Sequence, residues 1–344
     1  DDSGRFIDYL LLDEHEKPIA LIEAKKFSVD AEKGSIQSTT YQKDIEAQIK
    51  VFIPIFLTNG KKWYLKEKGY PTREVSGPFS QRDLQRRVQL SKEKQKLSNI
   101  GINPKILDRS KNIEIVKQLL NHFEKGNRNA LVNMATGTGK TRVAIATIDA
   151  LIKARYVQNI LFIVDRISLG KQAFAAFDDS PLRNEPRTLL NEEGDFDMNK
   201  RIYISTVQTL MIKDKEKGHK FQKFSPGFFD LIVFDEAHRS YYDKQGLVHK
   251  YFDAIKIGLS ATPSKSEVRD TFDMFECPRG EPTVKYDYDE AKRDGILVPY
   301  DAQIISTEIL ELGIDGMKLD DELKTELIKQ EDGSTTLIYN NRIE

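Results

Sequence analysis

The run Asn129 to Ile148, NALVNMATGTGKTRVAIATI, restricts what this chain can fold into more than any other stretch. Ala130 to Val132 reads as a short buried strand. Ala135-Thr136-Gly137-Thr138-Gly139-Lys140-Thr141 follows, and then an amphipathic helix carrying Val143, Ile145, Ala146 and Ile148. A strand, a glycine turn and a helix start in that order make a cradle for an anion. Gly137 and Gly139 let successive N–H groups point inward, and the helix N-terminus adds partial positive charge. In such a cradle Lys140 reaches the β- and γ-phosphates of a nucleotide and the Thr141 hydroxyl ligates Mg²⁺. Met134 stands where the strict G-x-x-x-x-G-K-[ST] pattern has its first glycine, but the context on both sides is that of a phosphate loop.

At 344 residues the chain has room for two domains or more. A hydrophobic content of 39% with 31% charged residues suits a water-exposed globular protein. No run reaches the length of a membrane span, and no N-terminal stretch reads as a signal peptide, so a cytoplasmic location without membrane contact is expected. The single cysteine, Cys277, excludes an internal disulfide framework and a cysteine zinc site. A net charge of −1 argues against a general polyanion binder, while leaving room for a local basic groove.

The N-terminal segment is strand-rich. Arg5 to Leu12 and Pro18 to Ala24 read as a hairpin around a polar turn. Glu23 and Lys25 share one face of the second strand, and Asp8 lies in the opposing one. Metal-dependent phosphodiester cleavage needs this set: two carboxylates to hold Mg²⁺, and a lysine to balance developing charge. Alternating charges on a solvent-facing strand give the same pattern, and taken alone the residues do not decide. Gln37 and Tyr41 follow, four apart on one helix face. Phe52 to Thr58 and Lys62 to Leu65 form a further hairpin around Asn59-Gly60. From Tyr70 to Asp108 the apolar periodicity fades. This stretch reads as a connector with one polar, solvent-facing helix, whose basic residues are a solvated face or a DNA contact.

Beyond the phosphate loop, strands and helices alternate. Asn159 to Asp165 ends in Arg166; Arg201 to Ser205 is followed by Thr206 and Gln208; Lys256 to Leu259 by Ser260-Ala261-Thr262. Phe229 to Phe234 is almost continuously apolar, as a strand buried on both faces of a parallel sheet must be, and ends in Asp235-Glu236-Ala237-His238. Polar residues thus collect at strand C-terminal ends, where open α/β sheets place their sites. Asp235 there would bind Mg²⁺ and Glu236 would orient the attacking water. An Asp-Glu pair in this position also reads as a helix N-cap, a reading the glycine loop upstream disfavours.

The N-terminal motifs resemble the PD-(D/E)xK nuclease domain with its Q-x-x-x-Y motif. The later segments MATGTGKT, VDRISL, FDEAHRS, IGLSATP and EAKRDGILVPY resemble the first RecA-like domain of a superfamily 2 DEAH-box helicase, and together they look most like the motor subunit of type I restriction enzymes. The resemblance implies an α/β chain: a nuclease-like domain over 1–70, a linker over 71–108, and a RecA-like doubly wound parallel sheet over 109–300. Residues 301–344 would be a linker and the start of an incomplete second RecA-like domain.

As site residues it implies Asp8, Glu23 and Lys25 for DNA cleavage, with Gln37 and Tyr41 positioning DNA or metal. Thr136 to Thr141, Asp235, Glu236 and His238 would serve ATP and Mg²⁺. Arg166, Thr206, Gln208, Ser260 and Thr262 would contact DNA or couple it to the nucleotide. Arg109-Ser110-Lys111-Asn112 occupies the adenine-gripping motif without its glutamine, which leaves Arg109 to stack on the base. The implied activity is ATP-driven translocation of double-stranded DNA joined to Mg²⁺-dependent cleavage, with methyltransferase and specificity subunits as partners. Lacking the arginine motif of a second motor domain, the fragment is expected to hydrolyse ATP slowly. The alternatives are a type III restriction or DNA-repair motor, or a DNA-binding scaffold whose sites have decayed.

Overall fold

In this computed structural model the described residues are 8–26, 47, 52–191, 197–214, 218–235, 242–261, 268–299, 325–329 and 335–339. The chain forms two compact units, Asp1–Val298 and Pro299–Glu344.

The first unit holds two main sheets. A five-stranded sheet runs in the order β1 (Tyr9–Leu12), β2 (Pro18–Ala24), β3 (Ile55–Thr58), β4 (Trp63–Lys66) and β5 (Arg73–Val75). All neighbours are antiparallel except β2 and β3, so the chain crosses over between them. The two expected hairpins are both present, and β5 carries the sheet past residue 70.

The second sheet is seven-stranded and all parallel. Its strands are β6 (Asn129–Met134), β7 (Ile160–Val164), β8 (Arg187–Leu189), β9 (Ile202–Thr206), β12 (Leu231–Asp235), β13 (Ile255–Ser260) and β14 (Val284–Tyr286), in spatial order β14-β6-β13-β12-β7-β9-β8. A small ribbon, β10 (Lys213–Asp214) and β11 (Gly218–His219), lies outside it. Its central strands are apolar and buried because two separate cores cover the two faces. Helices α2 (Ser110–Glu124), α3 (Lys140–Lys153) and α4 (Ile167–Asp178) supply one core; α5 (Val207–Met211), α6 (Tyr242–Tyr251) and α7 (Val268–Met274) lie with the other. This is the doubly wound parallel sheet expected of a RecA-like domain.

Helix α1 (Gln81–Glu93), started by a Ser80 cap on the Asp83 N–H, is not simply solvent-facing: Asp83, Leu84, Arg86, Val88 and Leu90 are buried. Charged residues hid this face because their partners lie far along the chain. Phe272 to Met274 end α7, and the strands β8 and β14, three residues each, are too short to show an alternating pattern. In the second unit, Thr325–Lys329 is a strand, β15, paired antiparallel with β16 (Thr335–Tyr339), although its Glu and Lys content favours a helix. Pairing with TTLIY downstream overrides the helical propensity of Glu and Lys.

An ion cluster joins the two sheets of the first unit. Arg73 of β5 donates from Nε to Asp253 Oδ1 at 2.6 Å and from Nη2 to Oδ2 at 2.7 Å. Arg87 of α1 donates to Oδ2 at 2.7 Å, and Arg128, just before β6, to Oδ1 at 3.0 Å. Glu67 bonds Arg73 and Arg87. One residue earlier on α1, Arg86 bonds Asp83, Asp230 and the carbonyls of Gly227 and Phe228. The Phe79 ring packs on Gly227 so closely that a Cβ there would lie 2.4 Å from it. Arg128 and Asp230 immediately precede β6 and β12, and Asp253 lies two residues before β13. The smaller sheet is therefore docked on the N-terminal ends of the parallel strands.

Burial pushes the Asp253 carboxyl up, but Arg128, Arg73 and Arg87 outweigh it and hold it well below the usual carboxylate range. Glu67 is likewise held at about 2, burial being overcome by Arg73 and Arg87. Both carboxylates have depressed values when folded, so their stabilisation is complete above their unfolded values and lost as pH falls through the folded ones. Asp253→Ala should cost about 3–5 kcal/mol by urea unfolding at pH 7, since it strands buried guanidinium groups. In the unaltered chain the urea midpoint should fall between pH 4.5 and 2, and less steeply in Glu67→Gln.

Candidate active sites

At the end of β6 the chain turns through the phosphate loop. Gly137 and Gly139 have φ of +86° and +100°, in the left-handed region where a side chain is strained. Gly139 caps α3 and Lys140 opens it. Thr138 is fully buried, and its hydroxyl donates to the Ala135 carbonyl at 2.6 Å. Asn112, which the sequence offers only as the place of a missing glutamine, is 2% exposed and donates from Nδ2 to the Thr138 carbonyl at 3.0 Å. The first turn of α2 thus clamps the loop from behind. An open cavity of about 640 Å³ beside this clamp is lined by Arg109, Lys111, Tyr286 and Glu290 among others.

Asp235 ends β12, opposite Leu259 of β13, and Ser260 stands opposite Asn133 of β6. Asp235 therefore lies two strands from the phosphate strand, about 10 Å across the sheet. Arg166 is exposed at the tip of β7. Thr206 is buried, and its hydroxyl caps α5 by accepting from the Thr209 N–H, a structural use of the residue expected to touch DNA. Gln208 keeps a buried carbonyl oxygen with no hydrogen-bond partner among the described residues. Ser260 is buried. Glu236, His238 and Thr262 lie outside the described residues, as do Gln37 and Tyr41.

In the smaller sheet Tyr9 pairs with Ile22, so the register carries Asp8 to the position across from Glu23. Asp8 Oδ2 accepts from the Ala24 N–H at 2.7 Å, between the other two residues of the set. Lys25 Nζ donates to Glu23 Oε1 at 2.5 Å, and the Lys25 N–H donates to Thr58 O at 2.8 Å. Glu23 is only 2% exposed, which rules out a solvent-facing charge alternation. Its other oxygen, Oε2, is buried without a hydrogen-bond partner among the described residues. A buried carboxylate oxygen left unpaired is costly, and a cation would satisfy it. Asp8 and Glu23 fit a Mg²⁺ ion that keeps several waters and takes one or two carboxylates. No group of three or more His, Cys, Asp or Glu suited to a metal occurs among the described residues.

Residues 1–74 match the family model described as type I restriction enzyme R protein N terminus, and residues 105–265 match type III restriction enzyme, res subunit. The EcoKI endonuclease subunit of Escherichia coli K12 is 28% identical over 88% of this chain and 31% of its own length. The EcoAI endonuclease subunit of Escherichia coli is 28% identical over 67% and 29%. The chain is therefore similar, over most of its length, to the endonuclease (R) subunits of type I restriction enzymes. It spans about a third of the length of these relatives. A solved fragment described as an HsdR subunit from Vibrio vulnificus YJ016 is 23% identical, with TM-score 0.42, over 84% of this chain and 51% of that one. The two family matches fall on the two sheets: the R-subunit N terminus on the carboxylates of β1 and β2, the other on the phosphate loop and Asp235. No helix among the described residues is long and apolar enough to cross a membrane.

The Asn112 clamp has a direct test. Asn112→Ala should speed amide exchange across residues 136–139, about tenfold for the loss of a buried hydrogen bond of some 1–2 kcal/mol. Exchange in β12 should be unaffected, as read by mass spectrometry.

Proposed function

We propose that this chain is the nuclease and first motor portion of an ATP-dependent DNA translocase and Mg²⁺-dependent endonuclease acting in a type I restriction complex. The observation that carries this reading is the Glu23 carboxylate, buried and half unpaired, beside Lys25 and across from Asp8, in a chain that also holds a phosphate loop. The match to a type III subunit covers the motor alone, whereas the N-terminal match is to the type I family, which favours the latter.

For the motor, the loop N–H groups and Lys140 would bind the phosphates of ATP, and Thr141 and Asp235 would hold Mg²⁺. Glu236 would orient the attacking water, His238 would sense the γ-phosphate, and Arg109 would stack on the base. Arg166 is exposed for the DNA backbone; Gln208, Ser260 and Thr262 would relay nucleotide state to that contact. For cleavage, Asp8 and Glu23 would hold Mg²⁺, which when bound polarises a phosphodiester and acidifies a water. Lys25 sets positive charge beside the reacting phosphate, and its bond to Glu23 fixes the direction of both side chains. Gln37 and Tyr41 would position DNA. Double-stranded DNA is the substrate, and specificity and methyltransferase subunits are the partners that read its sequence and modification.

In the complete assembly, Lys140→Ala should abolish ATP hydrolysis and translocation. Lys25→Ala should slow DNA cleavage about a hundredfold or more, the scale for losing one charge-stabilising donor, with ATP hydrolysis at the unaltered rate. Normal ATPase in the first variant, or equal loss of both activities in the second, would contradict the assignment.

A further inference from the structure

The seam between the two sheets contains a cavity of about 430 Å³ that neither proposed catalytic centre uses. Its floor is Arg87 and Arg128; apolar walls come from Val88 and Ile255. Its rim carries Lys68, Lys92, Lys94 and Arg155. Three carboxylates, Glu67, Asp230 and Asp253, also reach it, but each is engaged: Glu67 by Arg73 and Arg87, Asp253 by three arginines, Asp230 by Arg86 and the N–H groups of Gln158 and Asn159. Arg155 is paired with Glu93 at 3.3 Å, but Lys68 and Lys92 have no carboxylate partner among the described residues, so the mouth keeps uncompensated positive charge. Arg87 lines the cavity, and its Nε is buried without a hydrogen-bond partner among the described residues. Arg87 is 10% exposed. Burial and the nearby Arg73 depress Arg128, a strain that an anion in the cavity would relieve.

Two further features hold the rim in shape. The Lys94 ammonium stands 3.8 Å from the Tyr156 ring centroid and 4.9 Å from that of Tyr70. Arg155 follows α3 with φ +59°, the left-handed turn position that ordinarily belongs to glycine. A non-glycine residue there is strained, as residues at ligand sites often are. The cavity also adjoins the nuclease face. Phe52 and Pro54, which line it, lead into β3, and Leu57 of that strand pairs with Glu23. Three residues of extended chain separate Pro54 from Leu57, about 10 Å.

We propose that this seam cavity seats a backbone phosphate of duplex DNA next to the nuclease carboxylates, forming a DNA contact at the end of the motor sheet opposite the phosphate loop. The proposal rests on the DNA-motor reading above. It also recasts the basic face of α1 as a binding surface.

The test is fluorescence anisotropy of a labelled 30-base-pair duplex across a salt series, using the full chain without nucleotide. Lys68→Glu/Lys92→Glu should weaken binding at least tenfold and make the slope of log K against log salt shallower by about one, near 0.9 for the one seated phosphate left without its lysines. The charge-matched control Lys105→Glu/Lys117→Glu, on exposed positions elsewhere, should leave the slope unchanged. Should the charge reversal impair folding, the milder Lys68→Gln/Lys92→Gln must shift the slope in the same direction. Binding by the unaltered chain with no difference in the rim variants overturns the cavity as a DNA contact and leaves the motor reading standing. If sodium tripolyphosphate then raises the melting temperature of the unaltered chain alone, the cavity serves a free polyphosphate, and the DNA contact is overturned all the same. An unaltered chain that binds no duplex overturns this proposal and the DNA-motor reading together.

Discussion

One buried carboxylate, Asp253, organises the first unit. Three guanidinium groups from β5, α1 and the start of β6 converge on it. An exposed ion pair contributes little because water already solvates both charges. Here the partners are buried, so the cluster holds only while every member is present. Its position decides the architecture. Asp253, Asp230 and Arg128 precede parallel strands, whereas the phosphate loop, Arg166 and Asp235 follow them. Docking the smaller sheet through these residues leaves the other end of the parallel sheet clear for the proposed nucleotide site.

The same logic explains why each proposed centre has its own support. The phosphate loop is braced by Asn112 from α2 and by the buried Thr138 hydroxyl. The Glu23–Lys25 pair is braced by the sheet itself, through the Lys25 N–H to Thr58 and the Asp8 carboxylate on Ala24. Neither centre borrows a described side chain from the other. Chemistry at one can therefore be removed by substitution without dismantling the other.

Much of this fold is legible in the chain itself. Periodicity exposes the continuous apolar strands of the parallel sheet, because burial on both faces leaves no room for polar residues. The phosphate loop is legible because glycine positions, a lysine and a helix start are local in sequence. The seam is not. Arg73, Arg86 and Arg87 look like solvated charges until Asp253 and Asp230, more than 140 positions away, are folded against them. Asn112 stands out in the sequence only for what it lacks, and its bond to Thr138 is a tertiary fact. Thr206 shows the reverse case: its place at a strand tip suggests DNA contact, and the hydroxyl instead caps a helix.

The proposed function requires two independent divalent-metal centres on one polypeptide, one dependent on nucleotide and one not. Counting bound Mn²⁺ by electron paramagnetic resonance tests it most directly. The account predicts one tightly held ion in the unaltered chain without nucleotide, lost in Asp8→Ala, and a second that appears with a non-hydrolysable ATP analogue and is lost in Lys140→Ala. A single ion whose binding requires the analogue and survives Asp8→Ala would contradict it.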